Sequence, residues 1–305
     1  MTDQRTTTPP RIGIICGSGM DSLSIIEAPE RINVTTSFGD PSGIITLGEI
    51  AGVPVAIVNR HGIGHRLLPS EINVRANIAA LKALGVSQVI SFSAVGSLVE
   101  EAPPGTFVAI DQYIDRTYRR VNTFFGSGVV THVPFGKPVC TDNHSLLVDA
   151  LGELSIPHLA KGLYVVMEGP HFSTKAESAF HRQMGGTVIG MTAMPEPKLC
   201  REAELCYNMV AMVTDYDCWH TSHEAVNAAM VSEQMADNIK KAESLLSVIV
   251  PKLAQREALC RDRCQHALDG AIMTDFSLIT SDVIRRFSPL LDRVIQDDMP
   301  SEIVA

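Results

Sequence analysis

No segment of the chain approaches about 18 uninterrupted apolar residues, so no membrane span is expected. No run of lysines and arginines is long enough to line a nucleic-acid groove, and the formal net charge of -9 points the other way. The same acidity argues against docking on an anionic membrane surface. The glycines form no Gly-x-Gly-x-x-Gly run and precede no Gly-Lys-Ser/Thr. A dinucleotide fingerprint and a Walker A loop are therefore excluded. There is no Gly-x-Ser-x-Gly elbow of the kind that carries a hydrolase serine. Internal repeats and low-complexity tracts are also absent.

The cysteines lack a pattern. Seven of them, Cys16, Cys140, Cys200, Cys206, Cys218, Cys260 and Cys264, are scattered without compact spacing. An odd, unpatterned set suits a reducing compartment. The expected location is the cytoplasm, extending to the nucleus. Cys260 and Cys264 lie four apart in an expected helix, and no second pair accompanies them. Free thiols, not zinc, are the expectation there. His61-x-x-x-His65 has zincin histidine spacing, but Gly62 stands where a zincin needs its glutamate. No metal and no cofactor are expected.

What the chain does have is an alternation of strands and helices across residues 11–250. That predicts an α/β domain with a central mixed, mainly parallel sheet flanked by helices. Met1 to Pro10 is polar and threonine-rich, without an apolar h-region, and reads as a disordered tail, not a signal peptide. Residues 251–305 read as a helical C-terminal extension packing on the same domain, with polar turns near Asp269 and Ser281. Asn73 to Leu84 has helical periodicity, and Gly85 is a suitable C-cap. Residues 116–141 read as a long loop, and such loops are more often functional than idle.

Five expected strand ends carry small, polar or charged residues. Gly17-Ser18-Gly19 follows Ile12 to Cys16 and can expose backbone N–H groups beside a hydroxyl. Arg60-His61 follows Val53 to Asn59. Arginine offers a planar fork to phosphate oxygens, and histidine can donate a hydrogen bond or carry charge. Ser91 to Ser97 is a third end, suited to close approach by an anion. Glu168 to Ser173 is a fourth, and Met191-Thr192 a fifth. Thr214 to Trp219 then follows the apolar run Cys206 to Val213, bringing two acids and the sole tryptophan to one sheet edge. In a parallel sheet that edge is where ligands bind. An acid there can hydrogen-bond a polar heterocycle, and Trp219 or a phenylalanine can supply an apolar wall.

Together these segments, in order, resemble the trimeric purine nucleoside phosphorylase superfamily, most closely its methylthioadenosine phosphorylase branch. The match runs from Gly17-Ser18-Gly19 through Asn59 to Gly62, Ser93 to Leu98, Asp111 to Thr117, His132-Val133-Pro134, Glu168 to Ser173 and Gly190-Met191-Thr192 to Thr214-Trp219. It covers roughly residues 11–250. The resemblance implies phosphorolysis of S-methyl-5′-thioadenosine to adenine and 5-methylthioribose 1-phosphate, with inorganic phosphate as co-substrate. It implies a phosphate site at Ser18, Arg60, His61, Ser93, Ala94 and Thr192. For the nucleoside it implies Phe172, Ser173, Met191, Asp215, Asp217 and Val231, with His132 reaching a neighbouring subunit's site in a homotrimer. Asp215 is the expected acid for purine N7, and Asp217 the acceptor for the 6-amino group. The alternative is a phosphorylase of 6-oxopurine nucleosides or methylthioinosine, which an amide in place of these acids would favour. Gly190 stands where many relatives carry asparagine, and water is expected to replace that polar contact.

Overall fold

The computed structural model describes residues 12–17, 19–20, 23–220, 228–256 and 259–298. The expected N-terminal tail lies outside them.

The first half of the chain runs β1 (Ile12–Cys16), β2 (Glu27–Ile32), β3 (Ile45–Ile50), β4 (Val53–Asn59), helix α1 (Val74–Ala83), β5 (Gln88–Ser97), β6 (Phe107–Ile110) and β7 (Gln112–Asp115). The second runs α2 (Thr141–Glu153), β8 (His158–Leu159), β9 (Leu163–Val166), α3 (Lys175–Gln183), β10 (Val188–Gly190), α4 (Glu196–Glu202), β11 (Cys206–Asp215), α5 (Ala228–Gln255), α6 (Ser281–Phe287) and α7 (Asp292–Asp298). One sheet holds all the strands, in the order β2-β3-β4-β1-β5-β10-β9-β7, with β11 against β5 and β6, and β8 against β6. It is mixed and mainly parallel, as the alternation predicts.

Side chains of β11 divide by parity, because successive residues of a strand face opposite sides. Tyr207, Met209, Ala211 and Val213 join the core that packs on α1, α4 and the C-terminal helices. Val210 and Met212 join the core under α2 and α5. Every residue of β11 is buried, which is why it reads as a continuous apolar run. Helix α1 begins where Asn73 caps the Ala76 N–H and ends where Gly85 takes φ 78°. That left-handed conformation favours glycine.

The segment after residue 250 is less helical than its pattern suggests. Helix α5 runs on through Pro251 to Gln255, and the region around Cys260 and Cys264 is turn and 3-10 structure, not the expected helix. Some polar side chains there bond back to the body. Asp262 accepts from the Thr141 N–H, and Arg261 pairs with Asp142.

The central feature for function is the divergence of the sheet at β5. Strand β1 pairs with β5 only as far as Ser91, and β10 takes over that side at Gly96. Between those residues the edge has no strand partner among the described residues. Backbone groups of alternate residues point to the same edge. Phe92 therefore presents its carbonyl there, to Arg60, and Ala94 presents its N–H. A crevice with free backbone donors at the C-terminal ends of parallel strands is a binding site by construction.

Candidate active site

Arg60 stands at the end of β4 and is 1% exposed. Its Nε and one Nη2 hydrogen bond to Glu196, the second Nη2 hydrogen bonds to Ser91 Oγ at 2.6 Å, and Nη1 donates to Phe92 O at 3.0 Å. A guanidinium has five N–H donors. One Nη1 hydrogen remains, beside the Gly17 turn: a Cβ on Gly17 would sit 3.2 Å from that nitrogen. Burial alone would lower the arginine's pKa, and the Glu196 carboxylate more than reverses that. Glu196 was not foreseen from sequence. It opens α4 and also accepts from Ser91 Oγ at 2.7 Å and Tyr207 Oη at 2.9 Å. A fully buried arginine requires a counter-charge, and an acid just beyond Thr192 was the available signal.

His61 is buried and stacks on His65 with ring centroids 4.0 Å apart. Its Nδ1 lies 2.8 Å from Leu67 O, so the Nδ1–H tautomer donates there and Nε2 is left as an acceptor. Burial pushes its pKa down to about 4, with Arg60 adding to the effect. The imidazole is thus neutral at neutral pH.

On β5, Ser93 Oγ lies 2.9 Å from Thr192 Oγ1 and 3.1 Å from Tyr164 Oη. Tyr164 explains Gly190. A Cβ at position 190 would fall on the Tyr164 hydroxyl. The space that a side chain at 190 would fill is occupied by the Tyr164 phenol on β9, which hydrogen bonds with Ser93.

Three residues further along β5, Gly96 stands in register with Asp215 of β11. A Cβ there would lie 2.9 Å from Asp215 Oδ1 and 3.2 Å from the Asp217 N. Only glycine lets the acids come this close to β5. Asp215 accepts from Thr214 Oγ1 at 2.7 Å and from the Asp217 N–H at 2.8 Å. Asp217, at φ 51°, has a buried Oδ2 with no hydrogen-bond partner. Burial raises the pKa of both acids, with hydroxyl contacts opposing it at each. Ser173 and Ser178 lie near enough to Asp217 to oppose that rise, but neither hydroxyl makes a hydrogen bond to Oδ2. From Ser93 to Gly96 is three residues, about 10 Å of extended strand.

The other expected residues are placed as follows. Ser173 Oγ donates to Met167 Sδ at 3.7 Å. Phe172 is 52% exposed. Met191 packs on Gly169. His132 is exposed and its backbone N–H bonds Ala271 O. Among the described residues no hydrogen bond joins it to the acids or to Arg60. Ser18 lies outside the described residues, as does the side chain of Val231 on α5. Trp219 is not a free wall. Its Nε1 donates to Ser97 O at 2.7 Å and Arg182 covers its ring at 3.7 Å. A separate cleft lined by Phe38, Arg75, Arg119 and Arg120 contains none of the expected site residues.

An α/β sheet that parts around a buried arginine and hydroxyls, with a carboxylic pair at the far end, defines a class of glycosyl-transfer site. A sequence profile of the phosphorylase superfamily matches residues 11–251. The chain belongs to that superfamily and, within it, to the methylthioadenosine phosphorylase family. It is 51% identical over 271 residues to the S-methyl-5′-thioadenosine phosphorylase of Koribacter versatilis, covering 88% of this chain and 91% of that one. It is 43% identical to the protein of that name from Thermosynechococcus vestitus, covering 93% and 99%. Among solved structures, a methylthioadenosine phosphorylase sourced from an antarctic soil metagenomic library superposes with TM-score 0.87 at 41% identity, covering 93% of this chain and all of that one. The Schistosoma mansoni methylthioadenosine phosphorylase in complex with adenine gives 0.79 at 36% identity, covering 81% and 93%.

Proposed function

We propose that the protein cleaves S-methyl-5′-thioadenosine with inorganic phosphate, giving adenine and 5-methylthioribose 1-phosphate. The observation that carries this reading is the buried, unpartnered Asp217 Oδ2 beside Asp215, held one short stretch of β5 from the Ser93–Thr192 hydroxyls. A buried acceptor without a donor is costly. The 6-amino group of adenine is the donor that would satisfy it, whereas a 6-oxo group would repel it.

Phosphate sits in the β5 crevice against the remaining Arg60 N–H, the Ala94 N–H, and the hydroxyls of Ser18, Ser93 and Thr192. Neutral His61 accepts a hydrogen bond from a protonated phosphate oxygen through Nε2. One phosphate oxygen attacks the anomeric carbon as the C–N9 bond breaks. The bonding pair passes into the purine, and a proton from Asp215 goes to N7. Adenine then leaves neutral. The sugar gains oxocarbenium character in between, as in other glycosyl transfers, and the phosphate dianion beneath it stabilises that charge.

Phe172 and Met191 pack on base and ribose, and Val231 meets the apolar methylthio end. The same reading makes the protein a homotrimer, with His132 of one subunit completing its neighbour's site. Exposed Tyr118, Val121, Val130 and Met273 support an interface on that side, since His132 lies on the same loop. It takes residues 11–250 as the catalytic domain and 251–305 as an extension docked on it. Phe287, Leu291 and Val294 share a core with Ile78 and Met209, which supports the docking. No described helix is long and apolar enough to cross a membrane. The location we assign is the cytoplasm, extending to the nucleus, and no disulfide joins the described cysteines.

The test is adenine release from methylthioadenosine with and without phosphate, inosine alongside. Release that needs phosphate and spares inosine is expected. Release without phosphate means a nucleosidase, and turnover of inosine alone overturns the base-pocket assignment.

A further inference from the structure

Four of the seven cysteines come together at the end of β11 remote from Asp215. The sulfurs of Cys140, Cys206, Cys260 and Cys264 all lie within 4.8 Å of one another, and all four residues are buried and free. They arrive from three parts of the chain. Cys140 caps α2, Cys206 opens β11, and Cys260 and Cys264 lie in the turn after α5. The sequence shows only the last two as a pair. The second pair is separated from it by more than fifty residues and appears only in the fold.

We propose that these cysteines form a structural zinc site. A tetrahedral tetrathiolate with Zn–S of about 2.3 Å places its sulfurs about 3.8 Å apart. Contraction by about 1 Å or less converts the observed cluster into that geometry. Cys260-x-x-x-Cys264 falls within the pair spacing that zinc sites use, and the fold brings Cys140 and Cys206 in as the other two ligands.

The surroundings suit thiolates. The Cys264 N–H donates to Cys260 Sγ at 3.1 Å, Gln265 Nε2 to Cys206 Sγ at 3.2 Å, and Arg256 Nη2 to Cys206 Sγ at 3.4 Å. Donors aimed at sulfur orient metal ligands and offset their charge. Zinc with four thiolates carries two negative charges, and Arg256 is the adjacent cation. One contact, Cys260 Sγ to Gln265 Oε1 at 3.4 Å, uses the thiol proton and is given up on binding. Binding releases up to four protons, one per thiol, and changes no oxidation state.

The role is structural because the coordination is closed. Four protein ligands leave no position for water or substrate. The cluster also lies nine residues of β11 from Asp215, about 30 Å along the strand. What it holds is the C-terminal segment. Neighbouring contacts, Asp262 to the Thr141 N–H at 2.6 Å and Arg261 to Asp142, pin the same turn to the start of α2.

The experiment is elemental analysis of the full chain, purified untagged under reducing conditions, with thiols counted after denaturation. About one zinc per chain is expected. Growth with cobalt should give the intense visible bands of a tetrahedral tetrathiolate. The Cys260→Ser/Cys264→Ser variant should lose the metal, and Cys16→Ser should keep it. Should the double variant fail to fold, chelator treatment of the wild-type chain supplies the second reading, with zinc leaving and the melting temperature falling together. A metal-free protein overturns the proposal, whether its thiols are all free or two disulfides have formed. So does zinc retained by the folded double variant.

Discussion

Replacing Asp217 by asparagine separates the stability of the empty protein from its function. Asp217 is 7% exposed and its Oδ2 has no partner. Burial raises its pKa above the ordinary 3.8. A raised carboxyl pKa means that the folded state holds the proton more tightly than the unfolded state does. The acid's contribution to stability is full below 3.8 and is lost as pH rises through the folded value. At neutral pH the wild-type protein therefore carries a penalty that a neutral amide lacks. A buried acceptor left unsatisfied costs more when it is ionised than when it is neutral, by roughly 2 kcal/mol. With an unfolding entropy near 0.6 kcal/mol/K for a chain of this length, the Asp217→Asn protein should melt about 3 °C higher. The gap should close as the pH is lowered towards the ordinary value. The catalytic consequence has the opposite sign. An amide can turn its N–H₂ toward a 6-oxo group, so the kcat/KM preference for methylthioadenosine over methylthioinosine should fall roughly 10- to 100-fold. Thermal melts in phosphate-free buffer at two pH values, with paired kinetics, check both. A variant that melts lower at neutral pH, or that keeps the full 6-amino preference, refutes the reasoning.

Three further outcomes follow from the same geometry. Glu196→Gln leaves the Arg60 charge buried without its partner, which should cost about 3–5 kcal/mol in a thermal or denaturant melt. Phosphate should recover more of that loss than it adds to the wild-type protein, because the anion supplies the missing counter-charge. Tyr164→Phe removes the phenol that holds Ser93, and phosphate KM should rise about fivefold, the equivalent of one hydrogen bond, with kcat little changed. Gly96→Ala drives a methyl group against the Asp215 carboxylate, and kcat should fall at least tenfold while circular dichroism stays native.

The parts of this site that were legible in the sequence are those carried by single strands. The end of β11 could be read because a run buried on both faces stops abruptly at Thr214-Asp215. The β5 end could be read because small residues follow an apolar run. Glu196 and Tyr164 could not. An acid in the first turn of a helix is ordinary on local grounds, and a tyrosine within β9 looks like core until Gly190 faces it. Strand β2 was also hidden. Its residues Glu27 to Ile32 are largely exposed and include Pro29, so it has no alternation to detect. A sheet edge tolerates a proline because no further strand needs its N–H. The cysteine cluster was hidden for a related reason, since its members are brought together by β11 and the segment after α5, not by spacing.

The two ends of the site handle charge differently, and that difference bears on the chemistry. Arg60 is already paired with Glu196, so the pair is neutral as a unit. In the proposed complex, phosphate beside it gains hydrogen bonds without being fully neutralised. It keeps the negative charge that a nucleophile and an oxocarbenium partner both require. At the other end, Asp215 and Asp217 share a pocket where burial favours the protonated form. In the proposed reaction, that raised pKa places Asp215 to hand a proton to the departing purine. Strand β5 fixes the distance between these two ends, through Ser93 on one side and Gly96 on the other. On that proposed reaction, negative charge is kept where the new bond forms and the acid end favours a proton where the old one breaks, so both ends push electrons from phosphate toward N7.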